Sequence, residues 1–342
     1  MTEVLPEFPD LEQLRRQAKE LLSVARSGEA GPVDGLAGLT GRLDLSTAQL
    51  ALARRYGYGS WPRLKLEVER KDAIHHGDVE ALRSLLVRNP WLAVDPVSSC
   101  FDNDSALGYL GVARFHGLTD HDRAGEIAKL LLAAGGVADG PDGAGEPPLV
   151  TAASYGEVEM VRALIDAGAD LEATGFAVPG GTALSHAVAF GNIEVVDLLA
   201  DAGAMVRDVV EAAGVGSLDG SDISGLSVES RARAAKAAAV CERLEVLDLL
   251  LGSGVPVDAD PDTGKPDGSM TLLHEAAYWG KSRSVERLLA LGADPNRQDT
   301  EHQSTPLGWC RHRHAEIAGF GAHLTAGHLH VERILEPITN TG

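Results

Sequence analysis

The chain has 342 residues, a formal net charge of −20, 44% apolar residues and only 4% aromatic residues. That excess of carboxylate argues against a phosphate-backbone binder, which needs clustered lysine and arginine, although a local basic strip occurs at Arg311-His312-Arg313-His314. No apolar run approaches the length of a membrane span, so neither nucleic acid nor membrane is an expected partner.

In chain order, the start (Met1-Thr2-Glu3-Val4-Leu5-Pro6) has neither a basic nor an apolar signal region. Three scattered cysteines, Cys100, Cys241 and Cys310, show no Cys-x-x-Cys spacing and suit a reducing compartment. The expected location is cytoplasmic. Asp10 is placed to cap a helix carrying Leu11, Leu14, Ala18, Leu21 and Leu22 on one face. A loop with glycine and proline punctuation comes next, over Gly28–Gly41. A second helix is expected over Ser46–Gly57, and Ser60-Trp61-Pro62 opens a third. Residues 1–70 do not repeat. They read as a helical leader that caps the apolar flank of the segment beyond residue 70, with Trp61 in the seam. The alternative is a separate recognition module.

From residue 71 the chain repeats. Asp72-Ala73-Ile74-His75-His76-Gly77 with Leu82, Leu85 and Leu86 is a first unit. Ser105-Ala106-Leu107-Gly108-Tyr109 opens a second, swollen by an insertion around Gly117–Gly125. Pro147-Pro148-Leu149-Val150-Thr151-Ala152-Ala153 leads to Gly168-Ala169-Asp170, and Thr182-Ala183-Leu184-Ser185-His186-Ala187 comes after 182 − 147 = 35 residues. The stretch 206–258 departs from the pattern: its Ala pairs are only 238 − 212 = 26 residues apart. It reads as one truncated and one nearly normal unit joined through Gly220–Ser230. The clearest copy is Met270-Thr271-Leu272-Leu273-His274-Glu275-Ala276-Ala277-Tyr278-Trp279-Gly280, closing on Gly292-Ala293-Asp294. Thr305-Pro306-Leu307 then recurs after 305 − 271 = 34 residues.

This wording resembles the ankyrin repeat, whose period is about 33 residues. The resemblance covers roughly residues 68–340 and is weakest at 105 and 207–235. The leader is similar to that of ankyrin-repeat proteins of actinobacteria. The fold implied is all-α: an ankyrin-type helix–turn–helix solenoid with an N-terminal helical cap. The leader occupies 1–70 and the solenoid 71–342, with irregular units near 105–146 and 205–258. Long irregularities in such arrays map to the loop face, where function lies.

Ankyrin-type folds imply a partner on the concave side, formed by inner helices and loop fingers. The residue before each helix-ending glycine falls there: His76, Tyr155, Phe190, Cys241 (with Glu242 in the glycine place) and Trp279. Large aromatic residues in one column either anchor a partner or pack on the next repeat. The expected partner-binding residues are Tyr155, Phe190, Tyr278, Trp279, Trp309 and His76.

Six of twelve histidines lie between 302 and 330, but i,i+2 pairs on a helix point apart, and zinc needs three or four converging ligands. His274, in a Thr-x-x-His block, is expected to order a turn. No nucleophile elbow, phosphate loop or His-Glu-x-x-His occurs. No catalytic residue, cofactor or metal is therefore expected, and an enzyme is the less favoured reading. The leading function is a cytoplasmic protein-binding scaffold. The alternative is a small-molecule binding protein or enzyme, with an apolar ligand in the groove near the irregular repeats and the His-rich end and with Glu275, Tyr278 or His312 moving a proton.

Overall fold

The first five helices begin where a side chain caps them. In a computed structural model, residues 3–27, 44–100, 105–119, 121–141, 145–178, 180–265, 270–318 and 322–339 are described. The expected loop over Gly28–Gly41 lies outside them. Asp10 Oδ1 accepts from Glu12 N at 2.7 Å and starts α1 (Leu11–Ser27). Asp44 caps α2 (Leu45–Arg55), and Ser60 caps α3 (Trp61–His75). Asp78 and Ser105 do the same for α4 (Val79–Arg88) and α5 (Ala106–Phe115); α6 (Ala124–Ala133) comes next. Such caps satisfy backbone donors that the helix itself cannot.

The chain forms two compact units, residues 1–148 and 149–342. In the first, α1 and α2 pack through Leu5, Leu14, Ala18, Leu52, Ala53, Leu64 and Val68, with Trp61 half-buried at the edge. Each large aliphatic side chain buried here contributes about 1.5–3 kcal/mol. Helix α3 closes this cluster and also pairs with α4.

The second unit has two rows. The inner row holds α7 (Pro148–Tyr155), α9 (Ala183–Ala189), α11 (Val209–Val215), α12 (Val228–Val240), α14 (Leu272–Tyr278) and α16 (Pro306–Ile317). The outer row holds α8 (Val158–Asp166), α10 (Ile193–Asp201), α13 (Leu244–Gly252), α15 (Ser282–Ala290) and α17 (Ala322–Leu335). Outer helices bury the same positions in each copy: Val161 and Leu164, Val196 and Leu199, Leu247 and Leu250, Val285 and Leu288. Inner helices bury alanine, above all α12 with Ala232, Ala234, Ala235, Ala237, Ala238 and Ala239. Small side chains let neighbouring helices approach closely. At Gly214 in α11 an added β-carbon would stand 2.5 Å from Val188 Cγ1 of α9.

The described residues are all-α, as the repeat wording implies. There are seventeen α-helices among them, a short 3-10 turn at Pro90–Ala93, and one isolated bridge between Thr174 and Thr182 instead of a strand. None of these helices is long and apolar enough to cross a membrane. The irregular stretch resolves into α11, which has no outer helix of its own, and the complete pair α12–α13.

Inner helices end on a left-handed residue: Gly77, Gly156, Gly191 and Gly280, at φ 63 to 72°, with Glu242 at φ 52° in the same place after α12. The register expected from sequence therefore holds, including its one non-glycine. Gly191 needs its missing side chain twice over. Its φ is 66°, and a β-carbon there would lie 2.5 Å from Val240 Cγ1 and 2.8 Å from the Val240 carbonyl oxygen. Gly203 has φ 93° with nothing within 4 Å. Gly203→Ala should cost only the left-handed strain, about 1–2 kcal/mol. Gly191→Ala should cost about 1–3 kcal/mol more through overpacking. Denaturant titration of both variants checks this, and equal losses would contradict the close approach at Gly191.

Candidate functional site

The ends of the inner helices in the second unit carry a run of aromatic side chains. Phe190 closes α9 and Trp279 closes α14, each half-buried and each with its amide donating back into the helix it ends. Their ring centroids are 5.9 Å apart at 67°. Trp279 meets Tyr278 at 5.0 Å and 86°, and Tyr278 meets Trp309 of α16 at 5.8 Å and 75°. Behind Phe190 lies buried His186 at 6.2 Å. Beyond Trp309 lie His302 at 5.1 Å and His312 at 5.7 Å, both edge-on. Edge-to-face pairs contribute about 0.5–1.5 kcal/mol each beyond the area they bury, so the run is held in one geometry.

The irregular repeat makes the central contact possible. Between Phe190 and Trp279 the register position belongs to Cys241, which is small and fully buried, its thiol 3.7 Å from the Val188 carbonyl oxygen. The two rings meet across that position. Lys281 Nζ crosses the same repeat and donates to the Gly191 carbonyl at 2.6 Å.

Finger loops are tied to the run. Asp299 accepts from the amides of Glu301, His302 and Ser304 at 2.9, 2.6 and 2.8 Å, and its Oδ2 accepts from Trp309 Nε1 at 3.0 Å. Burial raises the Asp299 carboxyl, but these donors outweigh it and hold the group below its usual range. His274 orders the turn, as its block implied. Its Nδ1 accepts from the Thr271 amide at 3.1 Å, and its Nε2 donates to the Ser304 carbonyl at 3.1 Å.

Of the residues singled out in the sequence, Phe190, Tyr278, Trp279 and Trp309 come together. Tyr155 ends α7 in the same register, half-buried. His76 is exposed in the first unit, with Nδ1 3.0 Å from the Asp72 carbonyl oxygen. Sequence reasoning missed Arg313. It stands 34 residues after Trp279, in the column's next place, and its guanidinium lies 5.4 Å from the Tyr278 ring and 5.5 Å from that of Trp279. The repeat period alone would have found it.

The groups considered for chemistry each have a partner of their own. Glu275 pairs with Lys236 at 2.6 Å, and His312 with Glu316 at 3.2 Å. Cys310 is buried, and its thiol approaches the His328 carbonyl at 3.5 Å. Burial pushes the Cys241 and Cys310 thiols up to about 11 and about 12, so neither is a ready nucleophile. No group of three or more potential metal ligands forms among the described residues.

A second concentration of polar side chains lies in the first unit and was not legible in advance. Helix α3 buries Glu67, Arg70, Lys71 and His75. Arg70 pairs with Glu67 and donates to the carbonyls of Leu92, Asp95 and Pro96 at 2.5, 2.9 and 2.8 Å. Lys71 Nζ donates to Glu7 at 2.8 Å and to the Ser98 carbonyl at 2.7 Å. His75 Nε2 donates to the Tyr109 hydroxyl at 2.6 Å, and that hydroxyl donates to Glu7 at 3.0 Å. Charges at positions 67, 70, 71 and 75 share the inner face with Leu64 and Val68, which is the one local signal. Glu7 and Tyr109 are remote in sequence.

These features define a class: a protein of stacked helix–turn–helix repeats. Residues 118–209 match the family model of ankyrin repeats in three copies, and residues 269–300 match that of the single ankyrin repeat. The chain thus carries ankyrin repeats in both stretches. Among solved structures it is similar to the human ASB11 ankyrin repeat domain, with 20% identity over 71% of this chain and 90% of that one and a TM-score of 0.36. It is similar also to the ankyrin repeat domain of Bcl-3, described as a unique member of the IkappaB protein family, with 24% identity over 71% and 92% and a TM-score of 0.36. Comparison with curated proteins gives no match.

The buried cluster makes stability depend on pH. Burial raises the Glu7 carboxyl, but hydrogen bonds from Lys71, the Cys100 amide and Ser99, with the Lys71 charge, bring it down to about 2. Burial, then the Lys71 charge and the more distant His76 and His121, lower the His75 imidazole to about 4 against the opposing Glu7 charge. A depressed histidine is lost stability as pH falls, because the unfolded chain takes up the proton first. The melting temperature should fall from pH 6.5 toward 4 through His75, and from pH 4.5 toward 2 through Glu7. His75→Gln should reduce the fall across the first interval, leaving the part due to His274 and His116, which burial also lowers, and should leave the second. Identical profiles for the two proteins would contradict the assignment.

Proposed function

We propose that the protein is a cytoplasmic binding scaffold that docks another protein on the concave side of its repeats, through Phe190, Trp279, Tyr278 and Trp309, flanked by Tyr155, with His76 as the corresponding position of the first unit. The observation that carries this reading is the continuous edge-to-face run of half-buried rings that joins the ends of α9 and α14 to the first turn of α16. Packing alone does not call for it. The buried cores of the repeats are built from alanine and leucine, and large rings gathered at one end of the inner row leave edges for a partner. Aromatic and arginine side chains dominate binding energy at protein interfaces, and Arg313 stands beside the rings. Ankyrin repeats generally mediate protein–protein interaction, and extended solenoid surfaces suit that use. Three free thiols accord with a reducing compartment.

The test is capture of a partner by the full chain, wild type against Trp279→Ala and Tyr155→Ala, with each variant's melting curve recorded. Loss of a true anchor should weaken binding by about 2 kcal/mol or more. A partner held by wild type and lost from a folded Trp279→Ala chain supports this docking face. A partner held equally by wild type, Trp279→Ala and Tyr155→Ala moves the site elsewhere.

A further inference from the structure

The Glu7 carboxylate sits in a complete set of donors. Its Oε2 accepts from Lys71 Nζ at 2.8 Å and from the Tyr109 hydroxyl at 3.0 Å. Its Oε1 accepts from Ser99 Oγ at 2.7 Å and from the Cys100 amide at 2.9 Å. A carboxylate has about four lone-pair directions, and all four are used. The next residue, Phe8, lies against the His75 ring at a centroid distance of 4.8 Å, while remaining 61% exposed.

Every one of those donors belongs to residues 71–109, and they are positioned by contacts that do not involve Glu7. Lys71 is anchored on the Ser98 carbonyl, and Tyr109 is oriented by His75. The loop that brings Ser99 and Cys100 is held through Arg70 on three carbonyls and through the Ser98 amide, which donates to Glu67 Oε1 at 2.8 Å. The Lys71 and Tyr109 side chains have no exposure to solvent. A seat of this kind, emptied of its anion, would leave a buried ammonium short of a counter-charge, which is costly. The segment that fills it is not part of a helix. Residues 3–9 precede α1; outside Glu7 and Phe8 they are held by Glu3 N to the Arg55 carbonyl at 2.8 Å, the Glu3–Arg55 pair at 2.6 Å, Leu5 N to Ser98 Oγ at 3.2 Å, and the Leu5 side chain, which is buried in the cluster with Leu14, Leu52 and Leu64.

We propose that Lys71, Ser99, the Cys100 amide and Tyr109 form a carboxylate-recognition site, and that residues 3–9 act as its tethered ligand, so that an acidic peptide presenting a glutamate followed by an aromatic residue enters when the chain's own segment is withdrawn. Lys71 supplies the charge, Tyr109 and Ser99 fix the plane of the carboxylate, and His75 both orients Tyr109 and meets the aromatic neighbour with the two rings tilted at 53°. Release comes from competition by another carboxylate for the same four donors. The site is separate from the aromatic run, and its failure would leave the docking face untouched.

Two experiments on the full chain test this. Melting curves of wild type, Glu7→Ala and Glu7→Ala/Lys71→Met are compared in sodium acetate and in sodium chloride at equal ionic strength. Acetate should raise the Glu7→Ala midpoint above its value in chloride by about 2 °C or more, while wild type and the double variant show no acetate-specific change. No acetate-specific gain in Glu7→Ala would overturn the proposal. If Glu7→Ala does not fold, Glu7→Gln takes its place in the second experiment, where a labelled peptide Glu-Val-Leu-Pro-Glu-Phe-Pro-Asp is titrated into it and into wild type. Binding to Glu7→Gln should be about tenfold tighter than to wild type, and about tenfold tighter than that of the same peptide with its second glutamate changed to glutamine. Equal binding of the two peptides, or none, means that Glu7 only braces the fold.

Discussion

Each inner helix ends in carbonyl groups that its own backbone cannot satisfy, and the following repeat reaches back to satisfy them. In the second unit Asn192 Nδ2 donates to the carbonyls of Ala153 and Ser154 at 2.7 and 3.0 Å. Lys281 reaches past the α12–α13 pair to serve Gly191, while between neighbouring repeats Ser284 serves Ala239 at 2.6 Å and His328 serves Tyr278 at 2.8 Å. In the first unit His121 and Arg123 serve Ile74 and Gly77 at 2.7 and 3.1 Å. Each bond is worth about 1 kcal/mol net, but losing one leaves a buried carbonyl unpaired, which costs more than the bond itself contributes. The repeats are therefore stitched to their neighbours at one end of the inner row, as nearest-neighbour coupling in repeat proteins requires.

The same end displays the aromatic residues, and the two facts are linked. A side chain one place before the left-handed residue leaves the helix beside the point where the reaching-back group arrives. The departure from regularity strengthens this arrangement. Cys241 and Glu242 replace the bulky residue and the glycine found in other copies, and Lys281 and Trp279 of the following repeat pass over them to Gly191 and Phe190. A repeat without a ring in this place would be expected to interrupt the row; here the small buried Cys241 at the end of α12 lets the row continue.

Much of this was legible in the sequence because the ankyrin wording ties residue type to geometry. Thr182 and Thr271 had to cap helices, His274 had to order a turn, and glycines at 77, 156, 191 and 280 had to end inner helices; each does so. The clustering of Phe190, Trp279, Tyr278 and Trp309 was readable as a column but not as a contact, because it depends on the alanine-lined packing of α12 against α9, α11 and α14. Arg313 was readable from the period and was overlooked because its block lacks the usual glycine. The Glu7 seat was not readable. It joins residue 7 to residues 71, 99, 100 and 109 through a loop with no repeat signature, and local periodicity carries no information about such pairings.

Hydrogen exchange of the full chain, wild type against Lys281→Met, tests the stitching most directly. The substitution removes the donor to the Gly191 carbonyl while keeping an unbranched apolar stem. If the repeats hold one another through these bonds, here across the intervening α12–α13 pair, exchange should quicken around residues 186–192 at the end of α9 as well as in α14, and the α9 change should exceed that in α17. Faster exchange confined to the residues next to 281 would contradict the account, because each repeat would then be holding its own helix ends.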